Sequence, residues 1–455
     1  MSGAGSVVRL NPHGTSNKNQ AMKLTLLLLL LCATAPTAWG WSNHTVGSYL
    51  ALQDLPALRD APQVEVEPLE QFLSQQYQAV SALLDEQENF AREHFTHYPP
   101  RPDNLRLPAV PGDKLRHDFL TALRINPEVH LAMVIQPLPG KDLPEREHLK
   151  AEQVMVEQTL SPWNRQRFIV VADHEQVAPL AVLASAADEP DYGHDINLFS
   201  DNPGDVGALY GFGPQPFGDA RFQYSSQAPF HMGFFHESPV VYAAAGFLQR
   251  SWPDWRAYQY MGLARLAFAT GHPYWGYRFL GWGLHHVQDL TQPYHTKPLP
   301  GVELASLLVL EGKALAGFDA DKHAAIERVA TRHMEVEKYQ STWLRRLLRA
   351  GQAHPMLDVY ADSAQDARYP PYSVDYLREV VSAESVDESA VFDEAIGQWL
   401  DTAPITSDFS SGNQLQREDF DHPALNQQLF KLLGHFGAHS RIYARAGMAP
   451  QPSQQ

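Results

Sequence analysis

The residues with the clearest chemical potential lie in the segment 284–295, whose sequence is LHHVQDLTQPYH. His285 and Asp289 are four positions apart, so on a helix they project from the same face and can converge on one cation. Pro293 ends such a helix, and the chain can then turn His295 back toward that end. A carboxylate with two imidazoles is a ligand set suited to zinc. The alternative is a surface pair, but exposed polar residues are scarce at the end of a strongly apolar helix, which favours a metal site.

The cysteine content restricts the ligands that a metal could have. The chain has one cysteine, Cys32, and it lies inside the leader that is predicted below. A mature protein without it could form neither a disulfide nor a thiolate metal site. Leu31 is bulky where a lipidation site would have a small residue, so we do not predict a lipid anchor. Any metal would be held by histidine, aspartate and glutamate.

The beginning of the chain has the layout of a secretory signal. A lysine and a leucine run at 24–31 precede a stretch of small residues that ends at Gly40. The run is too short to span a membrane. Ala38 and Gly40 fit the two small-residue positions of a cleavage site. We therefore predict that 1–40 are removed, that Trp41 becomes the first residue, and that the protein is exported to the periplasm or secreted.

The segment 277–295 resembles the helix-and-turn signature of the superfamily of zinc-dependent phospholipases C and single-strand-specific zinc nucleases. The resemblance includes the Asp-x-x-Gln-Pro-x-His core at 289–295. In that family the mature chain begins with a tryptophan whose amino group and carbonyl oxygen bind zinc. The resemblance therefore implies that Trp41 is a zinc ligand and that His44 is the accompanying imidazole. His44 follows Trp41 more closely than its counterpart does in the family.

Two further segments are similar to pieces of the family's site. The sequence AADE at 186–189 resembles the piece whose aspartate binds the first zinc and polarises the attacking water. This implies that Asp188 is both a ligand and the catalytic residue. The segment 225–231 resembles the piece that supplies the same zinc with its first histidine, here His231.

The spacing of these two segments does not decide which aspartate binds the first zinc. A glycine- and proline-rich loop at about 200–229 makes the gap between them longer than in the family. Asp191 and Asp195 are therefore alternatives to Asp188.

The segment 332–339, RHMEVEKY, resembles the last piece of the site, a helical His-x3-Asp/Glu pair. It implies that His333 and Glu337 bind a third zinc together with His295. His323 and Glu327 have the same spacing one helical stretch earlier. We favour His333 and Glu337 because the Lys-Tyr that follows fits the family context better.

The resemblance implies a site with three zinc ions. One ion would be held by Asp188, His231, His285 and Asp289. Its close neighbour would be held by Trp41 and His44, with Asp289 bridging the two. The third would be held by His295, His333 and Glu337.

The elements that must position these residues are predicted to be helices. Most segments repeat apolar residues every three or four positions, which is the helical period. Helices are expected at about 69–84, 116–125, 146–160, 239–250, 254–270, 274–290, 303–316, 321–350, 373–400 and 423–446. The segment 167–172 is the one convincing strand candidate, and an isolated strand does not build a sheet.

The predicted fold class is all-α, and the resemblance implies a multihelical fold like that of the zinc-dependent phospholipases C and zinc nucleases, with a large insertion. Residues 41–446 would form a single helical hydrolase domain. Within it, 53–180 would be partly an insertion that the family lacks. The tail at 447–455 is predicted to be disordered.

The resemblance implies an exported phosphoesterase that hydrolyses phosphodiester bonds with a zinc-bound hydroxide. Phospholipid head groups and nucleotides are the two substrate classes of the family. The net charge is −17, and it becomes −20 when the three basic residues of the leader are removed. Such a chain does not hold nucleic acid by its general surface.

We therefore favour a phospholipase-C-like enzyme that meets a membrane surface transiently, with no stable nucleic-acid complex and no evident protein partner. A zinc nuclease or nucleotidase is the first alternative. A zinc-stabilised binding protein without turnover is the second.

Overall fold

The computed structural model of the chain describes residues 41, 44–141, 145–156, 168–218, 223–318, 320–401 and 420–449. The predicted leader at 1–40 lies outside the described residues. The last helix continues to Met448, two residues into the segment predicted to be a disordered tail, and 450–455 lie outside the described residues.

The described residues are mostly helical, as the apolar spacing predicts. The α-helices are α1 (His44–Leu52), α2 (Pro56–Arg59), α3 (Leu69–His94), α4 (Leu115–Ala122), α5 (Pro179–Ala186), α6 (Val206–Leu209), α7 (Ala228–His231), α8 (Pro239–Ala244), α9 (Pro253–Ala269), α10 (Pro273–Asp289), α11 (Pro293–Thr296), α12 (Leu304–Leu315), α13 (Ala320–Ala350), α14 (Pro355–Ala361), α15 (Ser382–Asp401) and α16 (Pro423–Met448). Short 3-10 turns connect several of them, and a π-helical turn at Leu377–Val381 leads into α15.

Two small antiparallel sheets accompany the helices. β1 (Val64–Glu65) pairs with β5 (Gln176–Val177), and the second sheet has the order β2 (Val134–Ile135), β4 (Phe168–Val170), β3 (His148–Leu149). In β1 and β5, Val64 lies opposite Val177.

The expectation that the strand near 167–172 would be isolated is therefore wrong. β4 lies in the middle of the second sheet, between two strands of two residues each. Strands this short carry no detectable alternation, and they form because pairing helps to bury Phe168 and Ile169. The helix expected at 146–160 is also wrong in its described part, where β3 and a 3-10 turn at Ala151–Gln153 occur.

The helix α10 lies at the centre of the fold. It packs against α9, α5 and α16, while α1 packs against α5 and α16. Every residue of α10 except Pro273 and Tyr277 is buried. A helix that is enclosed in this way holds its side chains in fixed directions. The side chains of His285 and Asp289, at the end of α10, are therefore held in fixed positions.

Two glycines of α10 allow its neighbours to approach closely. A Cβ atom at Gly281 would lie 2.5 Å from the carbonyl oxygen of Leu183 on α5. A Cβ atom at Gly283 would collide with the hydroxyl group of Tyr443 on α16. Glycine at these positions thus brings α5 and α16 against the helix that carries the candidate ligands. Within the described part of the chain, no helix is both long and apolar enough to cross a bilayer.

Candidate metal centre

Six separate elements bring histidine and acidic side chains together near the carboxyl end of α10. All eight of these side chains are buried. They are His44 on α1, Asp191 in the turn after α5, His231 at the end of α7, His285 and Asp289 on α10, His295 on α11, and His333 and Glu337 on α13. The interpretation of His285 and Asp289 as an exposed surface pair is excluded, because neither residue is accessible to solvent.

Together with His286, which is also buried, these side chains form three groups that could hold metal ions. In each group the potential ligand atoms lie within 4.8 Å of one another. The groups are His231 with His285, His286 and Asp289; His44 with Asp191 and His285; and His295 with His333 and Glu337. The first two groups share His285, so they are direct neighbours.

Asp289 lies between the groups. Its Oδ2 atom is 3.0 Å from Nδ1 of His231 and 3.1 Å from Nε2 of His285. Its Oδ1 atom is 3.3 Å from Nε2 of His44 and 3.9 Å from Nδ1 of His295. The two oxygens therefore face different imidazoles, which is the arrangement that a bridging carboxylate requires.

Hydrogen bonds on the outer side of two imidazoles fix which nitrogen faces inward. Nδ1 of His44 donates to Oε1 of Gln288 over 2.9 Å, and Nδ1 of His285 donates to the carbonyl oxygen of Ala187 over 2.7 Å. In a neutral ring, Nε2 then carries a lone pair, and both Nε2 atoms point at Asp289.

Lone pairs that face a carboxylate repel it unless a cation lies between them. Two ligands that bind one zinc ion tetrahedrally at about 2.1 Å are themselves about 3.4 Å apart. The separations of 3.0–3.3 Å around Asp289 fit this requirement.

Several polar atoms of the centre lack a hydrogen-bond partner. Both carboxylate oxygens of Asp191, both of Asp289, and Nε2 of His44 are buried and accept no hydrogen bond. A buried polar atom without a partner costs about 1–3 kcal/mol, and more when it is charged. Five such atoms in one place fit a metal site better than they fit an ordinary protein core.

The surroundings lower the pKa of the Asp289 carboxyl group and raise the pKa values of the Asp191 and Glu337 carboxyl groups. Burial would raise the pKa of Asp289, but the imidazoles of His285 and His295 hold it well below its ordinary value. Burial dominates at Asp191 and raises its pKa to about 7. Burial, reinforced by Asp289 and Asp191, raises the pKa of Glu337 well above its ordinary value. A bound cation would offset the cost of burying these charges.

Metal affinity should depend on pH in a defined direction. Protonation of Asp191 competes with a cation, so we expect affinity to fall as the pH decreases through about 7. The metal-free protein should show the opposite trend. Between the ordinary value of 3.8 and about 7, the folded carboxyl holds a proton that the unfolded one has lost. The stability of the metal-free protein should therefore decrease as the pH rises through this window.

Equilibrium dialysis against zinc, with thermal unfolding of chelator-treated protein at the same pH values, measures both trends. Affinity that stays constant from pH 8 to pH 5 would contradict the assignment of Asp191.

Asp188, the favoured aspartate of the sequence analysis, does not belong to any of the three groups. Its Oδ1 atom accepts a hydrogen bond from the backbone N–H of Thr45 at 3.1 Å. Its Oδ2 atom accepts hydrogen bonds from the Thr45 hydroxyl at 2.7 Å and from Nε2 of Gln136 at 2.9 Å. Asp188 thus fixes the start of α1, and with it the position of His44.

Asp191 is the aspartate of this segment that faces the centre. The neighbouring Glu189 pairs with Arg278, and Asp195 pairs with Arg256. Asp191 instead has its Oδ1 atom 3.6 Å from Nδ1 of His231. Glu189 and Asp191 lie in a 3-10 turn at Glu189–Tyr192, and this turn points their side chains in different directions. Asp195 lies on the side of the His231 ring that faces away from Asp289, with 3.7 Å between its Oδ2 atom and Nε2 of that ring.

The two candidate pairs on α13 have different surroundings. Nε2 of His333 lies 2.6 Å from Oε1 of Glu337, and both side chains are buried. Glu327 is exposed to solvent, and neither it nor His323 belongs to one of the three groups. The geometry therefore brings His333 and Glu337, rather than the earlier pair, to His295.

His286 belongs to the first group, although the sequence predicts no ligand role for it. Both of its ring nitrogens are buried without a hydrogen bond, and its ring stacks on Tyr260. Burial lowers its pKa well below the ordinary value, so the ring is neutral and able to bind a cation. The one feature of the sequence that could have indicated His286 as a ligand is its position beside His285. Adjacent residues of a helix normally point in different directions, so this feature is weak.

Trp41 lies close to the centre. Its side chain is buried, and Nε1 donates a hydrogen bond to the hydroxyl of Thr291 over 2.8 Å. Thr291 follows Asp289 by two residues. The indole contact therefore anchors the start of the predicted mature chain close to Asp289.

An open cleft of about 370 Å³ reaches the third group. His333 and Tyr294 lie in its wall, and most of the remaining lining is aliphatic or aromatic. Lys297 is paired there with Glu237 over 2.7 Å. Within the described residues, this cleft gives solvent a route toward a candidate metal ligand.

Comparisons of the chain with protein-family models, with curated proteins and with solved structures find no match. The resemblance to the zinc-dependent phospholipases C and zinc nucleases therefore stays a prediction from the quoted motifs. The metal-binding capacity of the buried groups is independent of it, because it follows from their geometry.

Proposed function

We propose that this chain is a zinc-dependent phosphoesterase that holds three zinc ions and cleaves phosphodiesters in the manner of a phospholipase C. The observation that carries the proposal is the convergence of eight buried histidine and acidic side chains from six elements on the end of α10. Imidazole and carboxylate are the ligands that zinc takes when thiolate is lacking.

Each ligand group has a distinct role in this proposal. Asp289, whose two oxygens face different imidazoles, would help to hold the ions of the first two groups, and Glu337 would offset part of the charge of the third ion. When bound, the ions would lower the pKa of water toward neutrality and offset the negative charge of a phosphate ester.

Asp191 replaces Asp188 in the proposed mechanism. Its Oδ1 atom faces His231 and His285, which leaves Oδ2 to orient a water molecule and hold its proton. Gln288 and the carbonyl oxygen of Ala187 would keep His44 and His285 in the tautomer that binds cations.

The charge and the cleft favour a lipid-like phosphodiester over a nucleic acid. A net charge of −17 repels a long polyanion. The lining of the cleft is mostly apolar, whereas a nucleotide would require polar and basic partners along its length.

A zinc-stabilised protein without turnover is a second candidate, and one observation favours it. His44, Asp191, His231, His285 and Asp289 are each at most 2 % exposed, and closed sites are typical of structural metals. The cleft beside His333 argues for catalysis instead, because a purely structural site needs no opening.

Hydrolysis of bis-p-nitrophenyl phosphate by zinc-loaded mature protein separates these two candidates. We expect turnover that disappears after chelation and returns with zinc. An inert, fully loaded protein would exclude the hydrolase. Phosphatidylcholine vesicles and single-stranded DNA should then be compared as substrates, and a preference for DNA would select the nuclease.

A single alanine added before Trp41 tests the role of the amino terminus. If the free amino group binds zinc, the extended protein should contain less zinc and should hydrolyse the test ester at a sharply reduced rate. The matched control is protein that begins at Trp41 and carries the same alanine at its carboxyl end. Equal zinc content in both proteins would show that the amino group is not a ligand.

A further inference from the structure

The helix α12 is apolar, and its described side chains are largely exposed. Its sequence is LASLLVLEGKAL, and none of its described side chains is buried. Leu304, Leu308 and Val309 are 40 %, 49 % and 57 % exposed, and Phe318 just beyond the helix is 72 % exposed. Of the helices, α12 packs mainly on α13. Contiguous apolar exposure of this kind marks a surface that binds something.

The exposed helix is continuous with the cleft at the third ligand group. Leu304, Leu307 and Leu308 line that cleft, and so does Val240, which is 46 % exposed on α8. Side chains that line a cleft and are also exposed form its rim. An apolar path thus runs from the outer surface of α12, over this rim, to His333.

We propose that α12 and the rim of the cleft dock on the surface of a phospholipid bilayer. A protein seated on this surface would close the cleft, whereas a bilayer could cover it and also deliver an amphiphilic substrate into it. A helix of 12 residues is too short to span a bilayer but can lie in its interface with the apolar side inserted. The choice of a bilayer as the occupant rests on the proposed function, because it assumes that substrate must reach the cleft; the apolar exposure of the surface does not.

The charge of the chain selects the kind of bilayer. Lys313, the one basic residue of α12, is paired with Asp321 over 2.7 Å. With a net charge of −17, the protein would be repelled by anionic lipid. The docking surface should therefore prefer zwitterionic phosphatidylcholine and depend on apolar insertion.

Co-sedimentation of the full mature protein with phosphatidylcholine vesicles tests the proposal. Val309→Asp should weaken vesicle binding about tenfold or more, since one buried valine is worth at least that factor. The matched control is Val391→Asp, which changes a valine that is 51 % exposed on α15 and does not line the cleft. Phe318→Asp is a second variant outside the cleft lining, and it should act like Val309→Asp.

The outcomes distinguish the alternatives. Val309 does not line the cleft, so Val309→Asp should leave hydrolysis of a soluble phosphodiester unchanged. Equal vesicle binding by both valine variants and the native protein would overturn the proposal. A native dimer that Val309→Asp dissociates, without vesicle binding, would assign the surface to a second copy of the chain. Vesicle binding by a protein that hydrolyses nothing would support docking and reject the proposed enzyme.

Discussion

Replacing Asp289 by asparagine is expected to remove metal from the first two ligand groups. The substitution keeps the shape of the side chain but removes the charge that faces His231, His285 and His44. Breaking a buried charge pair costs about 3–5 kcal/mol, which corresponds to a loss of about two to four orders of magnitude in metal affinity. Metal content per chain, measured by atomic emission after dialysis, should fall from about three zinc ions to about one.

Asp254→Asn is the matched control for this experiment. Asp254 is also buried and pairs with Arg378 over 2.8 Å, but it belongs to none of the three groups. Its replacement should lower thermal stability while leaving the metal content unchanged. Full metal content in the Asp289→Asn protein would reject the interpretation of the cluster as a metal centre.

The sequence predicts those parts of the centre that lie within one regular element. His285 and Asp289 share a face of α10 because the helical repeat dictates it, and His333 and Glu337 do so on α13. The proline that begins α11 likewise brings His295 back toward Asp289. Helical periodicity and one proline are therefore enough to predict that these side chains come together.

The parts that depend on tertiary contacts are not predictable from local pattern. The strands β2 and β3 have two residues each, and they exist because β4 pairs with both. The break between α8 and the following 3-10 turn at Gly246–Gln249 likewise interrupts a region that periodicity predicts as one helix. His286 joins the first group because helix packing encloses it, and its spacing alone gives no reason to expect this.

The choice between Asp188 and Asp191 also depends on tertiary contacts that local sequence does not predict. Both follow α5 in a short acidic segment, and local sequence resemblance favours Asp188. What separates them is the 3-10 turn and the docking of α1, since Thr45 supplies Asp188 with two hydrogen bonds. No property of the segment itself shows where Thr45 will lie.

Exchanging each of these aspartates for asparagine should therefore give opposite results. Asp191→Asn should reduce metal affinity about a hundredfold or more, because even groups that only orient a ligand are worth about 10–100-fold. Asp188→Asn should keep its metal but lose about 1–3 kcal/mol of stability, because an amide N–H₂ would then face a donor from Thr45 or Gln136. Zinc titration and thermal unfolding of both variants measure the two effects. If Asp188→Asn lost the metal and Asp191→Asn retained it, the turn would have to present Asp188 to the cations, as the family resemblance implies.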